Sequence, residues 1–131
     1  IEAILSYDPI AALGPLYPRT RKGRVKHLRP LSPSLQQDQQ PAEPRWLVFP
    51  KYVAGAQEQL SPMPKLEAFR QLAFNSFNYT MLGEAGFETV SQLIDRMDCY
   101  QFTFSRLESA VPMLQALAAG DAAIAVGGTS E

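Results

Sequence analysis

The stretch RWLVFP, residues 45–50, is where the fold of this chain is decided. Trp46, Leu47, Val48 and Phe49 are apolar without alternation, and Pro50 follows them as a stop. A strand that is apolar at every position is buried on both faces, as in a sheet with helices packed on each side. Residues 45–50 therefore predict an α/β arrangement.

The flanking sequence supplies the helices. KYVAGAQEQLSPMP, residues 51–64, reads as a loop. After it, PKLEAFRQLAFNSFNYTML predicts the longest helix, with Leu66, Phe69, Ala73, Phe77 and Met81 at helical spacing and Pro64 suited to the first turn. Gly83 and Gly86 interrupt it, and a second amphipathic helix resumes through Phe87, Val90, Leu93 and Ile94. In CYQFTF, residues 99–104, Tyr100, Phe102 and Phe104 alternate with Cys99, Gln101 and Thr103, which predicts a strand. Ser105, with Glu108 three residues later, has the spacing of a capping box for a last helix running to Gly120.

Upstream of Arg45 the pattern is weaker. Residues 1–7 predict a helix with Ile1, Ile4 and Leu5 on one face, and DPIAALGPLYP breaks it. RVKHLR, residues 24–29, predicts a short strand or hairpin arm with Val25 facing away from Arg24 and Lys26. PLSPSLQQDQQPAEP, rich in Pro, Gln and Ser, reads as a mobile surface loop. The tail over 121–131 is expected to fray, leaving residues 1–120 as the structured part. The sheet so assembled is small, which suggests that further strands belong elsewhere. The chain opens without Met inside a helical pattern and is expected to be a fragment or a trimmed chain.

Composition narrows the function classes. The 131 residues are 46% apolar with a net charge of -1, enough for a core and unlike a general nucleic-acid binder. No apolar run approaches a membrane span, and no signal peptide is visible. A single cysteine, Cys99, excludes a disulfide framework and fits a reducing, cytoplasmic compartment, and one histidine removes most metal and triad chemistry. Phosphate-loop, dinucleotide, nucleophile-elbow and zincin motifs are all missing, and the terminal GGTS carries no lysine. Phosphoryl transfer normally needs a phosphate cradle and a metal-holding carboxylate, so this chain alone is not expected to be a complete enzyme.

Charge is distributed unevenly. Six of the twelve Lys and Arg residues lie between Arg19 and Arg29, with no carboxylate among them. Arginine forks and backbone N–H groups around Gly23 can gather on one phosphate cluster, which makes Arg21, Lys22, Arg24 and Lys26 the candidates, with Thr20 offering its hydroxyl. The same strip also reads as a solvated hairpin whose charges resist aggregation. His27 lies within it and reads as a polar strand residue rather than a catalyst. Lys51 follows the strand at 45–50, where ligands of open α/β sheets bind, and is a second phosphate-contacting candidate or an idle loop lysine. Asn75 and Asn78, three apart, are expected to share a helix face, where they either bind a ligand or, the favoured reading, hydrogen-bond a neighbouring loop, and Trp46 is expected in the core.

GPLYPRTRKGRVKHLRP, RWLVFPKYVAGA and AFNSFNYTMLGEAGFETVSQLIDRMDCYQFTFSRLESA together resemble the carboxyl-terminal portion of HPr kinase-related proteins. These are similar to the HPr serine kinase/phosphorylase family, and the resemblance covers most of residues 1–118. It implies part of a phosphoenolpyruvate carboxykinase-like P-loop kinase domain, dependent on ATP and Mg. The Walker-type lysine, metal ligands and catalytic aspartate would lie in a missing upstream P-loop half. Thr20, Arg21, Lys22, Arg24, Lys26 and Lys51 would then complete the phosphate site, with a protein or small-molecule hydroxyl as acceptor. KYVAGAQEQL departs from the arginine-rich glycine loop of the classical family. A non-catalytic module that docks an acidic protein or peptide is the alternative. A breakdown product with an exposed apolar face, pairing into a homo-oligomer through an open sheet edge, is a third reading.

Overall fold

The computed structural model describes residues 1–120, and the tail expected to fray lies outside the described residues. The chain is mixed α/β and divides into two compact units, Ile1–Ala42 and the part from Glu43 onward.

The first unit holds α1 (Glu2–Tyr7), β1 (Tyr17–Thr20), β2 (Gly23–Val25) and α2 (Ser32–Gln36). β1 and β2 form an antiparallel hairpin, which Leu13↔Leu28 bridging and the Gly14 N–H···O=C His27 bond extend past its open end. The stretch expected to be a mobile loop instead contains α2. Pro33 stands in its first turn, where a missing N–H costs nothing, and Leu31 O accepts from the N–H groups of Ser34 and Leu35.

In the second unit β3 (Trp46–Tyr52), β4 (Gln59–Pro62) and β5 (Asp98–Phe104) make one sheet in the order β3-β5-β4. β5 runs parallel to β3 and antiparallel to β4. α3 (Lys65–Asn75) and α4 (Tyr79–Arg96) connect β4 to β5, and α5 (Leu107–Ala119) follows. Both faces are covered, as the unbroken apolar run predicts. Trp46, Val48, Tyr100 and Phe104 pack with Leu60 and Phe102 against Ala110, Met113, Leu114 and Leu117 of α5. On the opposite face Leu47, Phe49 and Cys99 pack against Ala68, Phe69 and Leu72 of α3 and Val90 and Ile94 of α4. Phe102, on the central strand, is 1% exposed.

Residues 51–64 depart from the expected loop, because β3 continues through Pro50 to Tyr52 and β4 occupies Gln59–Pro62. The ladder explains how proline is tolerated. Asp98 N–H donates to Arg45 O, and Val53 N–H to Phe104 O, so the odd-numbered residues of β3 bond to β5. Pro50 is even-numbered and turns its nitrogen outward, where no ladder bond is required. In β4 the bond from Met63 N–H to Cys99 O sets the same parity, and Pro62 also faces outward. Each edge strand thus carries a proline where a donor would otherwise invite another strand.

The long helix expected from Pro64 to Met81 is broken at Ser76–Asn78. Asn75 Nδ2 donates to Gln71 O and Ser76 Oγ to Leu72 O, so local side-chain bonds compete with helical continuation, and Ser76 is extended. The apolar stripe also falls differently. Ala68 is fully buried and Phe69 packs, whereas Leu66, Phe77 and Met81 are exposed. Gly83, with φ 53 and ψ -124, leaves the helical conformation, so α4 is two helical segments joined at a kink, as the expected interruption requires. Gly86 stays helical, and a Cβ there would meet Tyr79 O at 3.0 Å.

α5 is not capped by Ser105. Its N-cap is Arg106, and Ser105 Oγ donates to Ala56 O at 2.7 Å, tying the β3–β4 connection to β5. Lys65 Nζ donates to Ile94 O at 2.7 Å and to Met97 O, holding the start of α3 to the end of α4.

Candidate functional site

The hairpin turn is built by Thr20. Its Oγ1 donates to Gly23 O at 2.7 Å and accepts from Lys22 N–H at 3.2 Å, closing the turn over Arg21 and Lys22. Gly23 has φ 80, a conformation in which a Cβ would be strained, so the reversal depends on glycine. The Thr20 hydroxyl proton proposed for a phosphate is thereby spent on the turn. Thr20 becomes a residue that shapes the site.

Arg21, Lys22 and Arg24 are exposed, and Lys26 is half-buried. The pairs Tyr17↔Val25 and Thr20↔Gly23 differ in register, so Pro18 and Arg19 together oppose Arg24. Pro18 brings no N–H to this bulge. The bulge sets one arginine opposite another, a like-charge pair at the exposed surface that a bound anion would relieve. Arg19 was not singled out from the strip by its sequence, because only the register shift brings it opposite Arg24. Among the described residues the one ion pair joins Arg70 Nη1 to Glu67 Oε2 at 3.9 Å, and none of the strip's cations takes part. His27 packs edge-on against Tyr17, with ring centroids 5.6 Å apart.

Lys51 belongs to the second unit. It lies on β3 beyond Phe49, on the sheet face that carries α3, and is exposed. With Phe49, Pro50, Gln71, Asn75 and Gln101 it lines a groove of about 560 Å³. Gln101 Nε2 donates to Phe49 O at 2.6 Å, Asn75 Nδ2 to Gln71 O at 2.8 Å, and Gln71 Nε2 to Glu67 Oε1 at 3.2 Å. Sequence reading missed Gln71 and Gln101, since a glutamine on an amphipathic helix or an alternating strand looks like an ordinary polar position. Asn75 and Asn78 do not share a helix: Asn75 closes α3 and Asn78 is the N-cap of α4.

Three groups have shifted protonation. The Ser109 hydroxyl, donating to Glu58 Oε1 at 2.5 Å, holds the Glu58 carboxyl below its ordinary value, with backbone hydrogen bonds adding to the effect. Burial pushes the Cys99 thiol and the Tyr100 phenol up. All three lie outside the hairpin and the groove. Among the described residues there is no group of three or more His, Cys, Asp or Glu side chains that could hold a metal ion. No helix among them is long and apolar enough to cross a membrane.

No protein-family model, no curated protein and no solved structure matches the chain.

Proposed function

We propose that this chain is the carboxyl-terminal part of an HPr kinase-related, ATP-dependent phosphotransferase, in which the basic hairpin contacts phosphate. The observation that carries the reading is the hairpin's arrangement of cations. Arg21 and Lys22 occupy a turn tied down by Thr20, and Arg19 opposes Arg24 across a bulge. Clustered guanidinium and ammonium groups with no carboxylate partner among the described residues suit an anion of several charges, such as the phosphates of ATP. Within the second unit, Lys51 near the carboxyl end of β3 offers a phosphate contact of its own. The P-loop, metal ligands and catalytic aspartate belong, in this reading, to an upstream half of the kinase. Arg21, Lys22, Arg24 and Lys26 orient phosphate and offset its charge, Thr20 shapes the turn that presents them, and none of the five donates or accepts the transferred group.

Calorimetric titration of the chain with pyrophosphate and with Mg-ATP, at low salt, tests the reading. Binding is expected for both, with loss in the Arg21→Ala/Lys22→Ala variant. Preference for a polyglutamate peptide over pyrophosphate would favour a docking module for acidic partners. Equal binding by the double variant would remove the hairpin from the site.

A further inference from the structure

We infer that the groove between the carboxyl-terminal half of β3, Gln101 of β5 and α3 binds a compact polyhydroxylated compound bearing one phosphate, the phosphorylated form of a small polyol acceptor. The inference deepens the kinase reading and rests on it for the role of acceptor. The ligand chemistry itself stands on the groove.

Three carboxamides line the groove, and each donates one N–H to another group of the protein, Gln71 and Asn75 at the exposed surface and Gln101 in a part-buried position. For Gln101 and Asn75 the acceptor is a backbone carbonyl, so the nitrogen must point to it and the amide oxygen is turned away. No partner for Gln101 Oε1 or Asn75 Oδ1 occurs among the described residues, and no buried side-chain oxygen or nitrogen is left unsatisfied, so both oxygens are open to a ligand. Two amide oxygens held by their own backbone are preorganised acceptors for hydroxyl donors. Each amide also keeps a second N–H for a ligand oxygen. Lys51 adds the one cation of the lining, placed for a phosphate at one end of the ligand.

The position of the groove argues against an extended peptide. Phe49, Lys51 and Gln101 all project to the face that carries α3, because Phe49 is paired with Gln101 in a parallel ladder. An added strand would instead run along the outer edge of β3, where Pro50 supplies no donor. The volume of about 560 Å³ is in the range of small-molecule sites. A protein acceptor would not need the three amides gathered around one cation.

The experiment follows the side-chain amide resonances of Gln101, Asn75 and Gln71 by NMR in the whole chain. Glycerol 3-phosphate, ribose 5-phosphate, glucose 6-phosphate and myo-inositol 1-phosphate are titrated in turn, against glucose and inorganic phosphate as controls. At least one polyol phosphate is expected to shift the Gln101 and Asn75 amides, with inorganic phosphate or glucose alone binding roughly tenfold more weakly or worse. Lys51→Met should weaken the phosphorylated ligand and leave glucose unaffected, and Gln101→Leu should weaken both. Shifts of equal size with inorganic phosphate alone, or none with any polyol phosphate, would overturn the inference. So would shifts produced only by a serine-containing peptide. Pyrophosphate added to the same sample reports separately on the backbone amides of Arg21–Gly23. Loss of that response with a retained groove response would sink the kinase reading and leave the groove's ligand class standing.

Discussion

Lys65→Met removes a charge while keeping an aliphatic stem of similar length, and so isolates what the ammonium does at the end of α4. Lys65 Nζ donates to Ile94 O at 2.7 Å and to Met97 O. These carbonyls lie where a helix has no donors of its own. A hydrogen bond to a charged group contributes roughly 1.5–3 kcal/mol, and a cation at a helix C-terminus adds about 0.3–1 kcal/mol. Two such bonds would give more than about 3 kcal/mol if the site were dry. Lys65 is exposed, however, and in the variant water can reach the carbonyls it leaves, so the net loss is discounted to about 1–2 kcal/mol. With a urea dependence of about 1 kcal/mol per molar for a unit this small, the unfolding midpoint should fall by roughly 1–2 M. The assay is urea denaturation followed by far-UV circular dichroism, with the slope compared between the two proteins. A loss below about 0.5 kcal/mol, the range of an ordinary surface substitution, would refute the reasoning. It would mean that water satisfies Ile94 O and Met97 O as well as the ammonium does.

The remaining predictions concern the core, the edges and acid stability. Phe102→Ala should cost about 3–5 kcal/mol in the same urea assay, since the side chain is 1% exposed between β3 and β4 and its removal leaves a cavity. Pro50→Thr restores an outward N–H on β3 and should raise self-association, read as a concentration-dependent rise in sedimentation coefficient that the parent chain does not show to the same extent. Glu58 has a folded pKa below its ordinary 4.5, so its contribution to stability is present above the unfolded value and is lost as pH falls through the folded one. Ser109→Ala should therefore be less stable than the parent at neutral pH, with the gap closing at acid pH. Urea midpoints of both proteins across that range provide the check, and a gap that stays constant would exclude the Glu58–Ser109 contact as its source.

Local chemistry determined much of this protein. The apolar run at Trp46–Phe49 has one outcome that buries every side chain, a strand between two helical layers, and the alternation at Cys99–Phe104 placed Tyr100, Phe102 and Phe104 on one face. The hairpin was legible at Gly23 and in the lopsided charge around it. Where a strand ends was not legible, because proline stops a strand only if its missing N–H falls inside the ladder. At Pro50 and Pro62 the missing donor points outward, and only the pairing of β3 and β4 with β5 settles that parity. The break at Ser76–Asn78 escaped for a similar reason: the side-chain bonds of Asn75 and Ser76 compete with the helix, and spacing alone does not show which prevails. The groove is wholly tertiary. Lys51 stood out in the sequence, but Gln71 and Gln101 look like ordinary polar positions, and the three converge because the parallel register of β3 and β5 turns Lys51 and Gln101 toward the same face as α3.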